Sequence, residues 1–203
     1  MLKRALASLS TVVFAFLVLS VSILRSARIN YAFSGEAKNP GPAQVVLGDK
    51  TKIDYELPYP GNILPDNSLW VFKAGRDNIW LGLTTNVSRK SELNLLFANK
   101  RLSSAKILFE RNKPEIAFST LSKAEKYLES ASKGVKDLGF AEDIAKASLK
   151  HKEVIDEIMT IAPEDARPKV AELTRYPESA YKTARDFLRS KGKDAPESPF
   201  DWD

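Results

Sequence analysis

The sequence predicts an all-α protein: an N-terminal transmembrane helix, an extended strap of prolines and aromatic residues, then a four- to five-helix antiparallel bundle. Three observations predict it. Leu95, Ala98, Leu102, Ala105 and Phe109 step by three and four, the spacing of a heptad seam. Ala117, Leu121, Ala124, Leu128, Ala131 and Val135 do the same. Only Asn112-Lys113-Pro114-Glu115 separates the runs, so the two seams must face each other as an antiparallel hairpin.

The first element is the apolar segment at residues 5–24, ALASLSTVVFAFLVLSVSIL, which carries no charge. As a helix it would span roughly 30 Å, one hydrocarbon core. A cleavable signal needs a shorter core and a small-x-small site, and Arg25 and Asn30 stand at the −3 positions before Ala27 and Ala32. The expectation is an uncleaved single-pass anchor at 5–24, so that the lipid bilayer is a partner. Secretion after signal cleavage is the alternative, and a buried soluble helix fits the uniform apolarity poorly. Lys3 and Arg4 on so short a tail place residues 1–4 in the cytoplasm and the body outside it.

Residues 25–52 are polar, contain Pro-Gly-Pro, and read as a linker, within which 43–50 could form a short extended piece. Residues 53–190 read as strap plus bundle. Pro58, Pro60 and Pro65 stiffen the strap, and Gly61 permits a turn. Asp66 is expected to cap a first helix whose stripe is Leu69, Phe72, Ile79, Trp80 and Leu83. Thr84-Thr85-Asn86 ends it, and Asn86 can cap the next, which starts at Val87. Asn112 with Glu115 has the form of a capping box, with Pro114 in the first turn. Gly134 and Gly139 should close the following helix. A further helix at 141–161 carries the seam Ala147, His151, Val154, Ile158 and Ile161. A last one begins near Pro163, with Pro168 in an early turn and Pro177 kinking or splitting it. Residues 191–203 are expected to be a disordered tail; PFDWD within it could instead be a docking motif.

The composition excludes much chemistry. The chain has no cysteine and one histidine, so disulfides, thiolate sites and multi-histidine metal cages within one chain are out. Glycines never cluster into a phosphate loop, and no Gly-x-Ser-x-Gly occurs. The expectation is no enzyme, no cofactor and no metal site. The net charge of +5 comes from 31 basic and 26 acidic residues, too interspersed for nucleic acid. Lys100, Arg101, Lys106, Arg111 and Lys113 form a basic run, read as a solvated face or a contact for anionic lipid or wall polymer. His151 reads as structural, because position 148 is Ser where a di-metal bundle needs Glu. The strap reads as packed along the bundle. Its functional alternative is an aromatic ligand or partner groove of Tyr55, Tyr59, Trp70 and Trp80, suited to sugar faces or proline-rich peptides. Asn86-Val87-Ser88 matches a glycosylation triplet but sits on a helix cap.

YELPYPGNILPDNSLW at 55–70 resembles the signature of an uncharacterised bacterial domain family, L-P-Y-P-G then I-L-P-D before an aromatic helix start. The likeness runs on through Arg76-Asp77, the capped helix at Asn86 and residues 98–131, with a weaker echo at 150–168. Asn62 looks inserted after Gly61, and Asn86-Val87 stands where Asp-Pro is usual. The resemblance implies an extracytoplasmic all-helical body and no known activity. The function expected is a membrane-anchored helical scaffold or interaction module of the cell envelope, with a protein partner or a second copy. A small-ligand or ion-binding sensor domain is the alternative.

Overall fold

The computed structural model describes Phe14, residues 32–33 and residues 53–202. The chain divides into two compact units, Met1–Ala32 and Phe33–Asp203. In the first, Phe14 is helical and exposed. Apart from Phe14, Ala32 and Phe33, the tail at 1–4, the anchor at 5–24 and the linker at 25–52 lie outside the described residues. Among the described residues no helix is long and apolar enough to cross a membrane.

The second unit is all helical among its described residues: α1 Trp70–Leu83, α2 Val87–Glu110, α3 Pro114–Ser132, α4 Leu138–Ile161, α5 Arg167–Glu172 and α6 Arg175–Ser190. α2 packs on α3, α3 on α6, α6 on α4, and α4 on α2, so four long helices close a ring. The expected hairpin of α2 and α3 is its most extensive pairing. Ala98, Leu102, Ala105, Leu121, Ala124, Leu128 and Ala131 are fully buried, and the alanines opposite leucines let the two backbones approach. α1 leans mainly on α2, and lightly.

The helix ends show which local signals prevail. Asn86 caps α2 as expected, its Oδ1 accepting from Arg89 N at 3.0 Å. Asp66 does not cap α1, which starts four residues later; its carboxylate is taken by Lys113 at 2.7 Å. Asn112 does not form the capping box either. It turns the chain with φ 56°, Lys113 is the N-cap, and Pro114 opens α3. α4 starts earlier than expected because Asp137 caps it, accepting from Phe140 N at 2.8 Å. Gly139 therefore lies inside α4 rather than ending α3. The last expected helix is two helices, with Pro168 and Pro177 each in a first turn, where a missing N–H leaves no intrahelical bond unmade.

Over its described residues, 191–202, the tail packs on the bundle, against the expectation of disorder at 191–203. Trp202 is only 6% exposed and packs on Tyr181 at 5.3 Å between ring centroids. Tyr181 Oη donates to Pro196 O at 2.6 Å, Arg185 Nη1 donates to Trp202 O at 3.3 Å, and Lys193 pairs with Glu142. Two aromatic rings, Phe200 and Trp202, outweigh the cost of ordering a polar tail.

Gly134 is needed for space. A Cβ there would lie 1.8 Å from Ser91 Oγ and 2.7 Å from Ser91 Cβ, where the end of α3 meets the start of α2. Gly134→Ala is expected to cost about 1–3 kcal/mol in urea unfolding. Gly139→Ala, whose Cβ would meet Asp137 Oδ1 at an ordinary contact distance of 3.5 Å, is expected to be neutral or slightly stabilising in the same measurement.

Candidate functional site

The strap crosses the seam between α2 and α4. Ile53 N donates to Glu153 Oε2 at 3.2 Å, and Ser103 Oγ donates to Pro58 O at 3.4 Å. At Gly61, φ +89° turns the chain in a conformation that glycine adopts without strain. Lys73 Nζ seals that turn, donating to Pro60 O at 2.7 Å and Ile63 O at 3.1 Å. Asn62 Oδ1 accepts from Tyr59 Oη at 2.6 Å on the outside of the same turn. The strap then ends at Asp66, whose carboxyl the bond from Lys113 holds below its ordinary value. Beside Leu57 lies a half-open groove of about 420 Å³ lined in part by Ile107 and Val154. Its charges largely answer one another: Lys106 pairs with Glu157 at 2.6 Å and Lys150 with Glu153 at 3.0 Å.

Beneath the strap runs a line of polar groups, one from each of four elements. Asn99 Nδ2 (α2) donates to Tyr55 Oη at 2.7 Å. Asn99 Oδ1 then faces His151 Nε2 (α4) at 3.1 Å, so that nitrogen carries a hydrogen and donates. His151 Nδ1 faces Glu125 Oε1 (α3) at 2.8 Å, and one proton lies on this contact whichever atom holds it. Both side chains are fully buried. Glu125 Oε2 has no hydrogen-bond partner among the described residues. Burial pushes the Tyr55 phenol above its ordinary value, the bond from Asn99 opposes this, and the charge of Asp143 adds to it. His151 and Glu125 are sealed from solvent, and the line ties the strap, α2, α4 and α3 together. Among the described residues no three acidic or histidine side chains are placed to hold a metal ion.

The four aromatic residues do not share one groove. Tyr55 turns inward to Asn99, while Tyr59 is 70% exposed at the strap turn. Trp70 and Trp80 join a different cluster. Trp80 meets Phe97 edge-on at 6.4 Å, Phe97 meets Tyr127 at 5.9 Å, and Arg101 lies over Tyr127 at 4.5 Å and Trp70 at 5.9 Å. Arg101 is buried, and that burial lowers its pKa while the charge of Asp77 raises it. The basic run is therefore no single free patch. Arg101 is inside, Lys106 pairs with Glu157, and Arg111 and Lys113 meet Asp66.

α1 is turned the opposite way from a core helix. Its buried residue is Asp77, whose Oδ1 accepts from Arg76 Nη2 at 2.7 Å and Nε at 3.1 Å. The apolar stripe faces outward: Leu69 is 53% exposed, Phe72 77%, Ile79 64%, Trp80 45% and Leu83 77%. The inner side of α1 instead seats a carboxylate near Arg101, a buried cation that a counter-charge stabilises. A periodic stripe cannot announce this reversal, because period tells which residues share a face and not where the face points.

Residues 62–165 match a family described as Domain of unknown function (DUF5667). The chain belongs to this family. No curated protein and no solved structure matches the chain. The DUF5667 match takes in α1 to α4, with Asn99, Glu125 and His151, and stops before α5 and α6. Tyr55 and the L-P-Y-P-G stretch at 57–61 precede it.

Two outcomes test the buried line. His151→Leu leaves Glu125 buried without its partner and should cost about 3–5 kcal/mol in urea unfolding, whereas His151→Leu with Glu125→Leu should recover most of it. The raised Tyr55 value stabilises the docked strap fully below the ordinary tyrosine range, and this share is lost as pH rises above about 10. Hydrogen exchange of residues 53–60 should therefore quicken at alkaline pH, and Tyr55→Phe should remove that pH-dependent step.

Proposed function

We propose that the chain is a membrane-anchored extracytoplasmic helical scaffold, an interaction module of the cell envelope that works by surface contact without catalysis or cofactor. The observation that carries this reading is the outward apolar face of α1. Contiguous apolar surface rimmed by polar groups marks an interaction site far more often than idle surface. The length and apolarity of residues 5–24 support the anchor. The L-P-Y-P-G and I-L-P-D stretches at 57–66 support the extracytoplasmic placement, through the family they resemble. A protein of the envelope or a second copy could meet such a scaffold; nucleic acid fits poorly with its interspersed charge. The sensor alternative asks for a concave polar cavity with convergent free groups, and the charges of the groove beside Leu57 are largely paired with one another.

Alkaline carbonate extraction and external protease on intact cells test the reading. The expected result is a full-length chain that stays with the membranes and loses a C-terminal tag to protease. A chain in the aqueous fraction with residues 1–24 still attached, or a protected tag, would contradict it.

A further inference from the structure

We propose that Arg101 is the centre of an anion site, formed where α1, α2 and α3 meet, that takes a phosphate group or a like dianionic oxyanion. The site lies wholly in the second unit and needs no membrane, so it stands apart from the anchored-scaffold reading. Arg101 is 6% exposed, yet among the described residues its guanidinium has no hydrogen bond and no ion pair. Its contacts are aromatic: it lies over Tyr127 of α3 at 4.5 Å, over Phe97 one turn earlier in α2 at 5.8 Å, and over Trp70 of α1 at 5.9 Å. Rings attract the cation but accept none of its N–H bonds, which fan out in the guanidinium plane. The Arg101 nitrogens are not among the sealed side-chain atoms that lack a partner; being unbonded, they open to solvent. Burial is the largest influence on the pKa of Arg101 and lowers it, and Tyr127 and Asp77 oppose this without balancing it. A cation this deeply buried is costly until something pairs with it, and here the protein leaves its donors free.

Shape and charge select the ligand class. The planar fork of a guanidinium matches two oxygens side by side, as on a carboxylate or a phosphate. The surrounding charge separates these two. Asp77 is the carboxylate whose charge reaches Arg101, but its Oδ1 is held by Arg76 at 2.7 Å and no ion pair joins it to Arg101. Lys73 stands over the same Trp70 ring at 4.9 Å, and the charges of Asp77, Lys100, Arg76 and Arg101 all bear on it. Four cations therefore share this corner with one carboxylate. Lys73 is committed to the strap carbonyls of Pro60 and Ile63, whereas Lys100, next to Arg101 in the chain, has no ion pair among the described residues. An excess of positive charge at an aromatic-walled opening favours a doubly charged oxyanion over a singly charged one.

The test uses the full chain, labelled with ¹⁵N and ¹³C, in non-ionic detergent at mildly alkaline pH. Inorganic phosphate is titrated at constant ionic strength while the Arg101 Nε–H resonance, assigned through its own side chain, is followed. The expected result is a saturable shift of that resonance. Acetate in place of phosphate should need about tenfold more to reach half-saturation. Lys100→Gln breaks no ion pair, and it should weaken phosphate about threefold while the resonance of the phosphate-free chain stays in place. Arg101→Lys keeps the charge without the fork, and equilibrium dialysis of radiolabelled phosphate should find one site in the natural chain and none in this variant. An Arg101 Nε–H that ignores phosphate, or that moves without saturating, overturns the site. Acetate as effective as phosphate, or Lys100→Gln without effect, overturns the assignment to a dianion.

Discussion

Tyr55, Asn99, His151 and Glu125 come from the strap, α2, α4 and α3, and three hydrogen bonds join them in a single line. The rest of the second unit depends on that line. Leucine–alanine seams provide most of the apolar burial, but such seams can slide by a turn without great loss. A buried polar line cannot slide, because any shift strands a donor or acceptor away from water. It therefore fixes the register of α2, α3 and α4 and pins the strap over the seam between α2 and α4. Asn99 is the pivot: its two polar ends point in opposite directions, one to the strap and one to the core.

The imidazole and carboxylate that would attract attention in an enzyme are sealed. Exposed features include the apolar stripe of α1 and a strap turn stapled by Lys73. Lys73 links these features physically, since it holds the Gly61 turn while standing over Trp70 at 4.9 Å. The position of α1 thus depends on the strap, and the strap on Tyr55. A polar line inside and an apolar stripe outside are two parts of one arrangement: α1 turns Asp77 inward, and its hydrophobic side faces outward.

Much of this was legible in the sequence. The hairpin of α2 and α3 follows from their seams, the start of α2 from Asn86, and the packed strap from its prolines. His151 was readable as structural. Its partners were not, because Glu125 lies on another helix and a carboxylate in a helical run looks like solvated surface until burial is known. Asp66 and Asn112 looked like caps because local chemistry allows it. In the fold Lys113 takes the Asp66 carboxylate and Asn112 provides a positive φ instead. The tail looked disordered from its lysines, glycine and prolines, while Trp202 and Phe200 had a hydrophobic site waiting beside Tyr181. The outward turn of α1 was not legible either, because a stripe's period does not say which side faces the bundle, and here Asp77, bonded to Arg76, is the buried residue.

The most direct measurement on the central claim is the ring N–H of His151. In a uniformly ¹⁵N-labelled chain, the account predicts a resolved Nε2–H resonance, shielded from exchange with water and lost in Asn99→Ala. An Nε2–H that exchanges as fast as a free imidazole, or one indifferent to Asn99, would contradict it.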